Sequence, residues 1–193
     1  MILDRLKNDT THNHKALESN VLLSQLMSDH LTVEIYKRII AKFYTYFLPL
    51  EKKITPFFAD NKYVPDFSSR RKASHLQHDL QHYNISLETL DFCTNLPDIN
   101  NQSQAFGALY VLEGSTLGGR FISKKINETI GATPDAGAKF YNGYGSETGA
   151  YWKTFCGHLS SYAQDQSYHF DIIETANSTF LKLNSWLDSH LNE

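Results

Sequence analysis

The sequence predicts an all-α protein folded as a single domain, residues 1–193, and three observations carry that expectation. Apolar residues recur at spacings of three and four, as along Tyr36, Ile39, Ile40, Phe43, Tyr44 and Phe47. No stretch shows sustained period-two alternation of Val, Ile and Thr, so no sheet is expected. The chain has 193 residues, 41% of them hydrophobic, which suffices for one real core. No repeat, low-complexity tract or domain boundary divides it. The periodicity gives about eight helices.

Residues 2–17 read as an amphipathic helix. Leu3, Leu6, Thr10, His14 and Leu17 fall on one stripe, which points His14 inward at the centre of the buried face and leaves His12 to water. Lys7 and Glu18 flank that stripe. A short helical segment follows at 21–27. Thr32 has the character of an N-cap for a long helix, which Pro49 should kink and Pro56 interrupt. Residues 61–67 form a loop, 69–83 return to helix, and 86–93 continue it after a break. Residues 97–101, rich in Asn and Asp, lead into a helix over 104–130 that Gly131 ends. Residues 131–149 carry Pro134 and five glycines and form the loosest stretch, with a helix end and turn at 140–145. Helices at 150–161 and 172–191 complete the chain.

Composition removes several function classes. A net charge of −3 with no basic cluster argues against a nucleic-acid partner. The N-terminus is charged within five residues and has no apolar core of a signal peptide, and no apolar run approaches the roughly 20 residues of a membrane span. Cys93 and Cys156 make no metal-ligand spacing and read as reduced thiols of a cytoplasmic protein. His75, His78 and His82 share a helical face beside Asp79; a solvated face explains them better than a metal site. No Walker loop, GxSxG, HExxH or GxGxxG occurs.

The stretch that attracts a functional explanation is Gly114-Ser115-Thr116-Leu117-Gly118-Gly119, within the expected helix 104–130. A glycine in a helix interior costs about 1 kcal/mol relative to alanine. Such a cost is accepted where another body approaches the backbone closely or where the helix must bend. Gly114 and Gly118 lie one turn apart, and Val111 and Phe121 extend their stripe. Close helix packing is the better explanation of the glycines when they are taken alone. His14 adds a second wall. Glu18, one turn later, is placed to accept from the imidazole Nδ1–H, which fixes the tautomer and leaves Nε2 for a metal. Lys7 is placed to meet an anionic ligand edge.

Together these residues resemble the heme oxygenase family. Leu6-Lys7, Thr10, His14 and Glu18 are similar to its proximal helix, and Leu109 to Gly119 to its distal helix. The Glu113-Gly114-Ser115-x-Leu117-Gly118 pattern is most similar to the bacterial branch that includes bacteriophytochrome-associated enzymes. The segment from Tyr36 to Glu51, the Leu76–Asp79–Leu80 helix and residues 140–149 with Trp152 also look like that branch.

The resemblance implies a heme oxygenase bundle with heme between the two helices as both cofactor and substrate. It implies His14 as axial ligand of the heme iron, with Thr10 and Glu18 beside it and Val111, Gly114, Gly118 and Phe121 lining the pocket. Lys7 and Lys153 would meet the heme propionates, and Gly114, Ser115 and Gly118 would serve catalysis. The implied products are biliverdin, CO and ferrous iron, made with O₂ and electrons from an external reductase or ferredoxin. A bacteriophytochrome could receive the biliverdin. Many family members carry aspartate where this chain has Ser115, so the water network that delivers protons must be built differently. A non-catalytic heme carrier or sensor of the same fold, and a thiaminase-like helical enzyme, are the alternatives.

Overall fold

A computed structural model describes residues 1–70 and 73–189. Among them there are ten α-helices: α1 (Ile2–Asp9), α2 (Thr11–Glu18), α3 (Val21–Ser24), α4 (Val33–Phe58), α5 (Ser74–His82), α6 (Gln102–Gly114), α7 (Gly119–Ile130), α8 (Lys139–Asn142), α9 (Thr148–Tyr162) and α10 (His169–Asp188). Single 3₁₀ turns lie between several of them. No strand occurs among the described residues; isolated bridges from Thr133 to Ala136 and Gly137 close the turn there.

The local signals place the helix ends. The Thr32 hydroxyl accepts from the Ile35 N–H and starts α4, and Asn101 does the same for α6 through the Gln104 N–H. Gly131, at φ +73°, ends α7 in the left-handed conformation that glycine adopts freely. The expected helix 2–17 is two helices meeting at Thr10, yet backbone bonds run across the junction, from Thr10 N–H to Leu6 O and from His14 N–H to Thr10 O.

Three expectations are corrected. Pro56 does not interrupt α4, which runs through both prolines. A proline frees the carbonyl four residues before it. For Pro49 that is the Thr45 carbonyl, and the Cys93 N–H takes it at 3.0 Å. The same bond shows why residues 86–93 are not helical. That stretch forms one 3₁₀ turn, Leu87–Thr89, and then lies against α4 and α10; Lys53 and Lys182 donate to Pro97 O and Leu96 O beyond it. Finally, α5 begins at Ser74 rather than at 69, after a 3₁₀ turn at Phe67–Ser69. The last of the expected helix 172–191, beyond residue 189, lies outside the described residues.

The core is one connected cluster around α4, α6 and α10. Phe43 and Phe47 of α4 pack on Phe140, while Phe58, Phe67, Phe106 and Phe155 form a second aromatic group. Each such buried side chain contributes about 1.5–3 kcal/mol. Gly107 lets α6 meet α10 at backbone distance, since a β-carbon there would lie 2.3 Å from the Ile172 carbonyl oxygen. Polar ties fix the first helices to the last: Asn13 donates to Asn177, and Asn20 to Asn184 and Asp188. No described helix is long and apolar enough to cross a membrane.

Candidate heme site

The expected helix 104–130 is broken where the glycines lie. It ends at Gly114, and α7 begins at Gly119. Residues 115–118 form tight turns, with Thr116 N–H bonded to Glu113 O, Leu117 N–H to Gly114 O and Gly119 N–H to Thr116 O, each at 3.1 Å. Gly114 and Gly118 therefore stand at the two lips of a break, not on one continuous helix face.

The glycines divide into two kinds. Gly119 serves packing, because a β-carbon there would lie 2.4 Å from the Tyr141 carbonyl oxygen. Gly114 and Gly118 have room: their nearest neighbours would be Trp152 Cζ3 at 3.7 Å and Ile122 Cδ1 at 3.8 Å. Phe121 (72% exposed) and Leu117 (45% exposed) leave apolar surface at this break uncovered. Val111 is buried. The Ser115 side-chain hydroxyl donates to the Leu112 carbonyl at 2.7 Å.

On the N-terminal side His14 is not at the centre of a buried face. Its side chain is 53% exposed, which corrects the sequence expectation. The helical stripe points it toward the body, but α10 covers only one edge of the ring: Phe180 meets the imidazole edge-on, with centroids 5.5 Å apart. Nδ1 faces Glu18 Oε2 at 3.7 Å, so Nε2 is the nitrogen left for a ligand. His12 is exposed, as expected.

The two walls are linked through a short chain of side chains. Thr10 is buried, with its hydroxyl donating to the Leu6 carbonyl at 2.7 Å, and it stands beside the Tyr110 phenol of α6, where it partly offsets the upward push of burial on that phenol. The Tyr110 ring lies 5.6 Å from that of Trp152, which borders Gly114. Lys7 and Lys153 are both exposed, and no hydrogen bond or ring contact among the described residues ties either to this set.

Behind the break lies a charged network that composition alone does not reveal. Arg70 pairs with Glu113 at 2.7 Å and with Asp66 at 2.8 Å, and both Arg70 and Glu113 are buried. The Tyr144 hydroxyl donates to both Glu113 carboxylate oxygens, at 3.0 and 3.2 Å. Phe180 and Arg70 were invisible to sequence spacing, because their partners lie far away along the chain; Tyr110 lay within the stretch that carried the resemblance, but its tie to Trp152 did not show. Trp152 was among the residues that carried the resemblance.

Other chemistry finds less support. Among the described residues no group of three His, Cys, Asp or Glu is placed to hold a metal ion. Burial pushes the Cys93 and Cys156 thiols up, the opposite of an activated nucleophile. A larger open groove of about 370 Å³ is lined by Tyr63, His158, Tyr162 and Tyr168, and contains none of the site residues.

The site tests well against heme. A half-exposed imidazole has one nitrogen oriented and the other open. Gly114 and Gly118 border apolar surface, with Trp152 beside the first and Ile122 beside the second. This is the donor and the apolar, backbone-lined wall that a flat iron macrocycle requires.

An all-α bundle with a half-exposed histidine and a glycine break is compatible with a heme ligand. The family comparison makes this specific: the heme oxygenase model matches residues 1–189, and the chain belongs to that family. The fold is similar to heme oxygenase from Neisseria meningitidis, solved with NO and CO bound (21% identity, all of this chain and 95% of that one, TM-score 0.80). It is also similar to the enzyme of Leptospira interrogans (18% identity, 96% and 98% covered, TM-score 0.76). Heme oxygenase-1 of the cyanobacterium Synechocystis, solved with heme, matches at 15% identity, with 97% and 90% covered and a TM-score of 0.72. At these identities the three structures speak to fold alone. No curated protein sequence matches the chain.

Proposed function

We propose that this protein is a cytoplasmic heme oxygenase, which opens heme to biliverdin, CO and ferrous iron using O₂ and external electrons. The observation that carries the proposal is the His14 imidazole, open at Nε2, with Nδ1 toward Glu18 and one edge on Phe180. Bound heme supplies the O₂-binding iron and, as substrate, the ring that is cleaved.

The protein's own groups do the rest. His14 Nε2 would hold the heme iron. Glu18, 3.7 Å from Nδ1, would accept from Nδ1–H directly or through a water and so fix the tautomer. Lys7 and Lys153 offer ammonium groups to the propionates. Thr10 steadies the α1–α2 junction beside Tyr110 and Trp152. Gly114 and Gly118, with Val111 and Phe121, bring backbone and apolar surface to the distal side. The Ser115 hydroxyl proton is engaged by Leu112 O, so its oxygen acts as an acceptor that orients a proton-bearing water. The break between α6 and α7 gives the distal wall a place to open for product release. The chain has no flavin or nicotinamide motif, so the electron donor is a separate reductase or ferredoxin, and a bacteriophytochrome is a fitting acceptor for the biliverdin.

Heme titration followed by reductant and O₂ tests the proposal. A Soret band that is lost in His14→Ala, and wild-type conversion to biliverdin with CO release, are expected. A Soret band unchanged in His14→Ala overturns the ligand assignment. One specific observation favours a second reading, a heme carrier or sensor: Ser115 stands where a carboxylate would organise water. A stable Soret band under reductant and O₂, with no biliverdin, selects that reading.

A further inference from the structure

A short segment packs beneath both lips of the break. At its start, the Asp79 carboxylate accepts from the Lys139 and Phe140 N–H groups, each at 2.8 Å. Phe140 is further held between Phe43 and Phe47. Next, the Tyr141 carbonyl closes on Gly119 so tightly that no β-carbon fits there. Gly143, at φ +57°, turns the chain under Thr116; a β-carbon on Gly143 would lie 3.5 Å from Thr116 Cβ. Tyr144 then reaches Glu113 with its hydroxyl. Residues 141–144 thus meet positions 119, 116 and 113: the far lip, the middle and the near lip of the break.

Both ends of this segment are fixed independently. Asp79 anchors the start from α5. At the other end the Tyr144 ring lies parallel to Tyr151 of α9, with centroids 4.1 Å apart and a 7° interplanar angle. Single-turn backbone hydrogen bonds close the break, and Leu117 and Gly118 are exposed. Such turns open readily unless their ends are held. Glu113 is the handle on the near end, because a buried carboxylate must keep its partners.

We propose that Tyr144 is a positioning residue of the distal wall: its hydroxyl holds Glu113, and so the end of α6, at a set spacing from Gly119 and the start of α7. The catalytic consequence rests on the heme oxygenase reading; the mechanical claim does not. Tyr144→Phe keeps the ring stacked on Tyr151 and removes only the hydroxyl.

The test is amide hydrogen exchange on the protein without heme. Exchange in a peptide spanning residues 113–121 is expected to rise about tenfold in Tyr144→Phe, with α4 peptides unchanged. Asp79→Asn, which weakens the other anchor, raises exchange in the same peptide and serves if Tyr144→Phe does not fold. Wild-type exchange in the folded variants overturns the proposal. In the heme-loaded protein, Tyr144→Phe is expected to bind heme within about twofold of wild type and to turn over about tenfold more slowly. Faster exchange with wild-type turnover overturns the positioning role. A wild-type protein that takes up no heme overturns the function proposed above, while the exchange result still decides the mechanical claim.

Discussion

Trp152 stands where a side chain on Gly114 would project: a β-carbon there would lie 3.7 Å from Cζ3 and 3.8 Å from Cη2 of the indole. That is ordinary van der Waals contact, so alanine fits at position 114. Gly107 and Gly119 differ, because each faces a backbone carbonyl, at 2.3 and 2.4 Å, that no side-chain rotation relieves. Gly107→Ala and Gly119→Ala should each lose about 1–3 kcal/mol of stability. Gly114→Ala, at the last position of α6, should keep wild-type stability or gain up to about 1 kcal/mol. Urea unfolding followed by circular dichroism ranks the three. A Gly107→Ala protein as stable as wild type would contradict the close approach of α6 to α10.

Gly118 separates stability from function. It is exposed at the start of α7, in ordinary right-handed backbone, and its nearest neighbour is a side chain of its own helix. A bulky residue there should leave stability within about 0.5 kcal/mol. In the proposed site it would intrude on the distal face. Gly118→Phe is therefore expected to retain the His14-dependent Soret band and to form biliverdin at least about tenfold more slowly. Biliverdin formation at the wild-type rate would leave Gly118 as a feature of the turn alone.

The contrast among these glycines marks where sequence reading stops. Thr32, Asn101 and Gly131 were legible or nearly so, because capping acts within a few residues and leaves a local signature. The break at 115–118 was half legible: the Gly and Ser cluster announced a bend, but which glycine serves packing depends on Tyr141, more than twenty positions away. Pro56 misled because propensity is a weak prior: it stands two residues before the end of α4, where the one backbone bond lost is outweighed by the packing of a long buried helix. His14 was placed on the right stripe and given the wrong burial. A helical stripe says which way a side chain points, and not whether a neighbouring element covers it. Phe180 and Arg70 left no signal, since nothing near them in the chain foretells an imidazole or a buried carboxylate as partner.

Arg70 gives a test of the charge network. Its guanidinium is buried between Glu113 at 2.7 Å and Asp66 at 2.8 Å. Removing one member of a buried pair leaves the other charge to pay the desolvation penalty. Asp66 is partly exposed and adapts; Glu113 does not. Arg70→Met should cost about 3 kcal/mol. The Arg70→Met, Glu113→Met double variant should recover part of that loss, since the uncompensated carboxylate is gone. A double-mutant cycle by chemical unfolding checks both steps, and purely additive losses would show that the pair is not coupled.

Lys42 predicts a pH dependence of stability. Its side chain is buried in α4, where Nζ donates to Trp186 O at 2.9 Å and Ser189 Oγ at 2.7 Å and lies 4.2 Å from the Trp186 ring centre. Burial, helped by the nearby Arg38 charge, pulls its pKa down to about 8 from 10.5, against a smaller upward pull from Cys93. Below pH 8 the folded protein carries a charged lysine that burial disfavours. Between about pH 8 and 10.5 the folded state has released that proton while the unfolded chain still binds it, so stability rises with pH through this window. Lys42→Met has no such group. The stability of wild type relative to Lys42→Met should therefore increase by about 2 kcal/mol between pH 7 and 9.5. Urea midpoints of both proteins across that range, read from Trp186 fluorescence, check the sign. A difference that stays flat or falls with pH would mean that the ammonium is held as comfortably by Trp186 and Ser189 as it is by water.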